Sequence, residues 1–422
     1  MPVVPAALCK ARPVPATPSD RERLRVAVDA TPLLGTRTGV GRFCGGVLSA
    51  LAGRRDVEVN AFAVTWRRRD RLPPVVPDGV EVRQRAMPAR PLHLAWRHAD
   101  APPIEWFVGR ADVVHGTNFI VPPSRRAARI VSVHDLSVLH FPELCDPATL
   151  GFPHMIRRAI AGGAWVHTDS RFVADEVVAT FSIDPERVRT VYPGIAAARW
   201  ASGPVTRAAA QPGAQSCAHS GAQPATEPVP PARTDHDLPS GATRYVLAVG
   251  TIEPRKDYPG LVCAFDAVAA AHGDVALVIA GAEGWGATEF RGALESARYR
   301  DRVRTLGYTS DHELAQWLAG AEVLVFPSLY EGFGFPPLEA MAAGVPVVAT
   351  TAGSVPEVVG DAALLVAPRD VDALAGALVG LLGDAEARAG LIAKGRRRAG
   401  HFTWEACGDG MVALYADAAR AR

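Results

Sequence analysis

The sequence predicts an α/β protein made of two doubly wound domains, each with a parallel sheet covered by helices on both faces. The chain has 422 residues, which is more than one hydrophobic core usually organises. Short unbroken apolar segments alternate with helical segments, a pattern typical of strands buried on both faces. The alternation occurs twice, and residues 196–243 between the two sets hold too few large apolar side chains for a core.

Each set contains five predicted strands. Those of the first half are Leu24–Val28, Val57–Val64, Asp112–His115, Ile130–His134 and Trp165–Thr168. Those of the second half are Tyr245–Val249, Val275–Ala280, Val303–Leu306, Glu322–Phe326 and Val345–Ala349. The predicted division is a disordered tail at 1–22, a first domain at 23–195, a low-complexity linker or inserted loop at 196–243, a second domain at 244–403 and a final helix at 404–422 packed on the body.

Composition excludes several classes of function. Lys and Arg number 45 and Asp and Glu number 44, so no global field favours nucleic acid, and no nucleic-acid partner is expected. The six cysteines lie far apart, which argues against a disulfide framework or structural zinc and fits a reducing compartment. No signal peptide is expected, and no segment has the ~20 apolar residues of a membrane span. We therefore expect a cytoplasmic protein.

Two carboxylates, Glu331 and Glu339, carry the strongest chemical signal. They lie eight positions apart around a glycine-rich elbow, after the apolar strand Glu322–Pro327 and at the start of the helical segment Pro337–Ala343. Open α/β sheets bind ligands at the carboxyl ends of their strands, so both carboxylates can face one ligand. The alternative is a structural loop whose glycines supply positive φ, with one Glu favouring the helix N-terminus.

Two further loops are candidates for phosphate binding. Gly39 and Gly41 open a helix after the first strand, where backbone N–H groups attract phosphate, although Cys44 stands where the dinucleotide fingerprint needs glycine. Arg255 and Lys256 follow the first strand of the second domain and can hold a diphosphate. For the Gly39 and Gly41 segment the alternative is a structural turn. For Arg255 and Lys256 the alternative is a solvated charged loop.

Histidines and acidic pairs give weaker signals. His134 ends a predicted strand at the ligand-binding edge and can donate to a phosphate or sugar hydroxyl, while His115 is a weaker example of the same placement. The two D-x-D matches, Asp235–Asp237 and Asp370–Asp372, do not follow a core strand. We expect no metal site.

One dense basic segment, Trp66–Arg71, includes an aromatic residue. Most such segments are solvated surface. A basic surface with an aromatic anchor can also rest on anionic lipid headgroups, so peripheral contact with the inner face of the plasma membrane is the alternative.

Four elements together resemble the retaining glycosyltransferases of family 4: Gly39-Val40-Gly41, His134-Asp135, Pro254-Arg255-Lys256 and Glu331-x7-Glu339. The Glu-x7-Glu element, in the order strand, Glu-Gly-Phe-Gly, helix, is the specific part. The resemblance covers nearly all of the chain outside the tail and the linker. It implies two facing Rossmann-like domains in the GT-B arrangement.

The resemblance also implies roles for individual residues. Glu331 would lie against the donor sugar and stabilise the reacting ring, and Glu339 would accept hydrogen bonds from the donor ribose. Arg255 and Lys256 would neutralise the departing diphosphate, and His134 would contact the donor sugar or its β-phosphate. The backbone that closes on sugar and phosphate would come from Gly39, Gly41, Gly332, Phe333, Gly334 and Phe335.

Two details refine this resemblance. Many members of the family carry an Arg after the strand-ending glycine, and Thr251 stands there, which places more of the phosphate charge on Arg255. The phosphate loop and the residues around His134 are similar to bacterial mannosyltransferases of polysaccharide assembly. This similarity implies GDP-mannose as co-substrate, with other nucleotide sugars as alternatives, and the expected acceptor is a glycan or glycolipid. No metal or other cofactor is expected, because neither D-x-D match follows a core strand.

Three alternatives remain at this point. A sugar-nucleotide epimerase of the same architecture would act on a nucleotide sugar without an acceptor. A non-catalytic nucleotide-sugar-binding subunit would support a partner enzyme, although intact Glu331, Glu339 and Lys256 argue against it. An NAD-dependent oxidoreductase is weakened by the missing glycine fingerprint.

Overall fold

The structure is a computed structural model that describes residues 23–35, 39–200, 238–239 and 241–422. The predicted tail and most of the predicted linker lie outside these residues, as does Asp235–Asp237. The first linker residues are described, and Ala197–Trp200 form a short helix there. The Trp200 side chain is buried in the apolar cluster of the second sheet, so this part of the predicted linker belongs to a core.

The first sheet has seven strands, all paired in parallel, in the order β3-β2-β1-β4-β5-β6-β7. They are β1 (Leu24–Asp29), β2 (Val57–Phe62), β3 (Glu81–Arg83), β4 (Val113–Gly116), β5 (Ala128–Val133), β6 (Trp165–Thr168) and β7 (Val188–Thr190). The direction of strand order reverses between β1 and β4. A crevice for ligand is expected at this point, beyond the carboxyl ends of the two strands.

The second sheet has six parallel strands in the order β10-β9-β8-β11-β12-β13. They are β8 (Arg244–Val249), β9 (Val275–Ala280), β10 (Val303–Gly307), β11 (Val323–Phe326), β12 (Val347–Thr350) and β13 (Ala363–Val366). The reversal of order falls between β8 and β11. The two predicted doubly wound α/β domains are therefore confirmed, and they repeat one topology.

Helices cover both faces of each sheet. Those of the first half are α1 (Gly39–Leu51), α2 (Ala89–His98), α3 (Glu105–Val108), α4 (Ser137–His140), α5 (Phe152–Ala161), α6 (Arg171–Phe181) and α7 (Ala197–Trp200). Those of the second half are α8 (Tyr258–Ala271), α9 (Ala287–Ser296), α10 (Asp311–Gly320), α11 (Phe335–Ala343), α12 (Val355–Val359), α13 (Val371–Gly383), α14 (Ala385–Ala399) and α15 (Trp404–Arg420). Within the described ranges, none of these helices combines the length and apolarity that crossing a bilayer requires.

The last helix, α15, returns to the first domain. Its apolar face, which includes Met411 and Leu414, joins the cluster formed by α1 and the first sheet, where Phe43 and Val47 are buried. Among the residues that the structure describes, the chain thus passes between the domains at two places. The two crossing segments are bonded to each other, since the Ile195 N–H donates to the Phe402 carbonyl at 2.9 Å.

Three strands were absent from the sequence prediction: β3, β7 and β13. All three lie at sheet edges, and they are only three or four residues long. In β3, Glu81 and Arg83 are exposed and only Val82 is partly covered. An edge strand needs little apolar surface, so the periodicity that reveals central strands is missing there.

Candidate active site

A cavity of about 360 Å³ lies between the two domains, at the carboxyl ends of the central strands of both sheets. Nine of the eleven predicted site residues line it: Gly39, His134, Arg255, Lys256, Glu331, Gly332, Phe333, Gly334 and Phe335. The other two, Gly41 and Glu339, line a neighbouring cavity of about 420 Å³. Arg42, Asp311 and Phe335 border both cavities. The fold thus brings the predicted residues of both domains to one junction.

The elbow that carries Glu331 connects β11 to α11. Gly334 precedes the helix with φ of 93°, a conformation that L-residues rarely adopt, and Pro336 and Pro337 fix φ in the first turn. At Gly332 a Cβ would overlap the backbone carbonyl oxygen of His134 in the first domain. Glycine is therefore required at Gly332 by the approach of the two domains, and at Gly334 by backbone conformation.

Glu331 is buried between two cations. Its Oε1 lies 2.5 Å from Lys256 Nζ, and its Oε2 lies 3.0 Å from Arg255 Nη1. Burial alone would raise the pKa of Glu331, but Arg255 and Lys256 outweigh burial and lower it to about 2. The carboxylate is thus ionised throughout the neutral range and can only accept hydrogen bonds.

Arg255 and Lys256 are held on a 3-10 turn, Pro254–Lys256, directly after the loop that ends β8. Arg255 also pairs with Glu253, at 2.5 Å between Nη2 and Oε1. Burial would lower the pKa of Arg255, but Glu331 and Glu253 raise it overall, so the guanidinium stays charged. Lys256 Nζ lies 5.0 Å from the centre of the Phe326 ring. A bound diphosphate would have to share these cations with Glu331 and Glu253.

Glu339 is buried on α11 and forms an ion pair with Arg42 of α1, across the domain junction. Arg42 also contacts Asp311, the first residue of α10, at 3.1 Å. Burial would lower the pKa of Arg42, but Glu339 and Asp311 raise it overall. Arg42 was not among the residues predicted to form the site, although the glycines that precede it were. Its position directly after Gly41 was the available signal, because the first turn of that helix faces the ligand crevice.

Gly39 and Gly41 differ in their surroundings. Gly39 is the first residue of α1, and a Cβ there would meet the Phe335 ring of the second domain at an ordinary 3.8 Å. Gly41 is buried, and a Cβ there would lie 3.3 Å from the Pro32 carbonyl oxygen. A Cβ at Gly41 would thus be in tight contact with the backbone of the first domain, and the phosphate-binding role of the Gly39–Gly41 turn stays a prediction.

His134 follows β5 and lines the cavity, but both of its ring nitrogens are engaged within the first domain. Nδ1 lies 2.6 Å from Asp169 Oδ2, and Nε2 lies 2.7 Å from the Thr117 carbonyl oxygen. Burial would lower the pKa of His134, but Asp169 raises it overall, which favours the imidazolium. The predicted contact with a donor sugar or phosphate would require one of these bonds to be exchanged, and the role stays a prediction.

The remaining candidates lie away from this junction. His115 is buried, with its ring nitrogens 2.9 Å from the Tyr415 hydroxyl and 2.8 Å from the Ser132 hydroxyl, so it is a core residue. Asp370 accepts a hydrogen bond from the Ala373 N–H and caps α13. Among the residues that the structure describes, no group of three His, Cys, Asp or Glu side chains is arranged to hold a metal ion.

Comparison with known proteins agrees with this arrangement. Residues 38–194 match the model of the "Glycosyl transferase 4-like domain", and residues 235–398 match that of "Glycosyl transferases group 1". Two facing parallel-sheet domains with these matches define a glycosyltransferase of the GT-B type. The chain belongs to the group 1 glycosyltransferases with a family 4-like first domain. This assignment sets aside the epimerase, the binding subunit and the oxidoreductase.

Similar proteins are known in sequence and in structure. The chain is 30% identical over 297 residues to the O-antigen chain mannosyltransferase B of Escherichia coli, covering 70% of this chain and 71% of that protein. It is 34% identical over 176 residues to a GDP-mannose-dependent phosphatidylinositol monomannoside mannosyltransferase of Corynebacterium glutamicum, covering 40% and 45%. The sucrose-phosphate synthase of Thermosynechococcus elongatus shares the fold, with a TM-score of 0.68, 20% identity and coverage of 95% and 100%.

Proposed function

We propose that this glycosyltransferase moves mannose from GDP-mannose onto a glycan or glycolipid acceptor with retention of configuration. The observation that carries the proposal is the buried contact of Glu331 with Arg255 and Lys256 at the cavity between the domains. The mannosyltransferase names of the two relatives support mannose as the sugar, and the name of the second supports GDP-mannose as donor.

The charges suit the reaction. Cleavage of the bond between sugar and diphosphate leaves positive charge on the anomeric carbon and negative charge on the leaving group. Fixed cations near the diphosphate and an ionised carboxylate near the ring stabilise both charges without reorganisation. In the proposed course, the acceptor oxygen bonds to the anomeric carbon on the face that the nucleotide leaves. The departing phosphate oxygen takes the acceptor proton.

A thermal-shift screen against GDP, UDP, dTDP and ADP sugars tests the donor. A ligand that binds only the folded protein stabilises it by about 2.7 kcal/mol at 100 times its Kd. We expect GDP-mannose to raise the Tm most. A larger shift with a sugar nucleotide of another base would contradict the donor assignment. Incubation with GDP-mannose and methyl α-mannoside then tests the stereochemistry, because a β-linked product would exclude retention.

The same transfer assay tests for metal independence. We expect unchanged turnover in EDTA, because the proposal assigns charge neutralisation to Arg255, Lys256 and backbone N–H groups. A loss of turnover that Mn²⁺ or Mg²⁺ restores would show that a metal ion takes part.

Contact with an anionic membrane would suit a glycolipid acceptor. Trp66 and Trp106 of the first domain expose 58% and 59% of their surface. They belong to one region, since the Met87 N–H donates to the Thr65 carbonyl at 2.9 Å and Arg85 donates to the Trp106 carbonyl. Aromatic side chains next to exposed arginines are typical of surfaces that rest in the headgroup layer.

Sedimentation with phosphatidylglycerol vesicles measures this contact. We expect the protein to bind them more than phosphatidylcholine vesicles, and binding to weaken with salt. The Trp66→Ala/Trp106→Ala protein should bind several-fold less. Trp285→Ala, which removes an exposed tryptophan of the second domain, is the matched control and should bind as the unaltered protein does. Equal sedimentation with both lipids would leave the basic segment as a solvated surface.

A further inference from the structure

Tyr330, the residue directly before Glu331, belongs to the second domain but inserts its side chain into the first. It is buried, and its ring lies among three aromatic rings of the first domain. The ring centroids are 5.4 Å from His140, 6.0 Å from Phe141 and 5.9 Å from Phe172. The aromatic packing therefore fixes this part of the elbow against the first domain.

The Tyr330 hydroxyl is bonded to the first domain in both directions. It donates to Glu176 of α6, and it accepts from the Leu136 N–H at 3.2 Å. The other carboxylate oxygen of Glu176 lies 2.7 Å from His140 Nε2. A hydroxyl that donates to a carboxylate and accepts from a backbone amide has a fixed orientation, so the contact is directional.

The same residue is bonded to the charged groups of the site. Arg255 Nη1 donates to the Tyr330 carbonyl at 2.7 Å and lies 3.0 Å from Glu331 Oε2. On the other side of Glu331, the Gly332 carbonyl accepts from the Ser170 hydroxyl of the first domain at 2.8 Å. The first domain thus holds the residues on both sides of Glu331. The Glu331 carbonyl itself is held within the second domain, by the Ser354 N–H at 2.9 Å.

We propose that Tyr330 is a positioning residue, which couples the approach of the two domains to the orientation of Glu331 and Arg255. When the domains separate, the hydroxyl loses Glu176 and Leu136, and the elbow loses its contact with Ser170. The site is then complete only when the domains are together. The inference rests on the proposed role of Glu331, and it adds a residue that need not touch the substrate.

The test is Tyr330→Phe, which keeps the ring and removes the hydroxyl. Turnover is measured with the donor that the thermal-shift screen identifies and methyl α-mannoside. We expect kcat to fall about tenfold while the donor KM, the Kd of GDP and the Tm change little, because displaced catalytic groups lower the rate more than the affinity. Tyr245→Phe is the matched control, since that hydroxyl donates to the Trp317 carbonyl within the second domain at 2.6 Å.

A double-mutant cycle identifies the partner. Glu176→Ala should lower kcat by a similar factor, and the Tyr330→Phe/Glu176→Ala protein should be no slower than either single variant, because both remove one contact. Fully additive losses would exclude action through Glu176. An unchanged kcat for Tyr330→Phe, or a loss confined to Tm or GDP affinity, would overturn the proposal. If Glu331→Gln keeps full turnover, the assignment of Glu331 fails instead, whatever Tyr330→Phe does.

Discussion

Glu331→Gln is expected to lower kcat by about 10²–10³-fold, the usual effect of removing one fixed group that stabilises transition-state charge. The amide keeps the size of the side chain and removes its charge. The affinity for GDP should stay the same or rise, because Arg255 and Lys256 no longer share their charge with a carboxylate. This combination is the signature of an interaction that is made in the transition state. Calorimetry with GDP and the transfer rate measure the two effects.

Glu339→Gln is the matched comparison, since it makes the same change one helix turn into α11. If Glu339 accepts from the donor ribose, its loss should weaken GDP binding directly, by roughly 1.5–3 kcal/mol for a charged hydrogen bond. Equal turnover for both variants and the unaltered protein would show that the elbow is only a structural loop.

The contribution of Glu331 to the stability of the fold changes with pH in a definite direction. Its folded pKa of about 2 lies below the ordinary value of 4.5, so its ion pairs stabilise the fold above pH 4.5. That stabilisation is lost as the pH falls from 4.5 towards 2. A decline in activity between pH 8 and pH 5 would therefore arise from another group.

Lys256→Ala is expected to weaken GDP binding and to slow transfer, with a combined effect of about 2.7–4 kcal/mol on kcat/KM. The loss of affinity should be larger for a nucleotide that carries the β-phosphate, the group that Lys256 would bind. We expect the Kd of GDP to rise much more than the Kd of GMP, which lacks the β-phosphate. Calorimetry with both nucleotides makes this comparison within one protein.

Lys394→Ala is the control for Lys256→Ala. Lys394 lies on α14 and pairs with the exposed Asp361 at 3.1 Å, on the surface of the second domain. Its removal should change neither Kd nor rate. If Lys256→Ala also left GDP affinity and turnover unchanged, Lys256 would serve only to neutralise Glu331.

The fold was predictable because central parallel strands are apolar on both faces, and the nine central strands of the described sheets stand out by that property. The tenth predicted strand, β10, lies at an edge. The placement of Glu331 followed from the rule that the carboxyl ends of such strands meet at one edge. Contacts between the domains were not predictable. The pairing of Arg42 with Glu339 and the insertion of Tyr330 depend on how two separate sheets are oriented, and no local pattern encodes that orientation.

His134 shows a different limit of prediction from sequence. Its position after β5 was read from the sequence, but the occupation of both ring nitrogens was not. Asp169, which directly follows the neighbouring strand β6, contacts His134 from 35 positions along the chain. Whether a strand-end histidine faces a ligand or a neighbouring strand depends on register, which becomes known only when the sheet is assembled.

The return of α15 makes the first domain discontinuous in sequence: it consists of residues from 23–195 together with the last helix. A fragment that stops at residue 195 would expose the apolar surface of α1 where Met411, Leu414 and Tyr415 pack. Such a fragment would aggregate, so the two halves cannot be separated by a single cut. Two adjacent connections also restrict how the two halves can rotate against each other. A rotation that a single connecting segment would permit would here break the hydrogen bond from the Ile195 N–H to the Phe402 carbonyl.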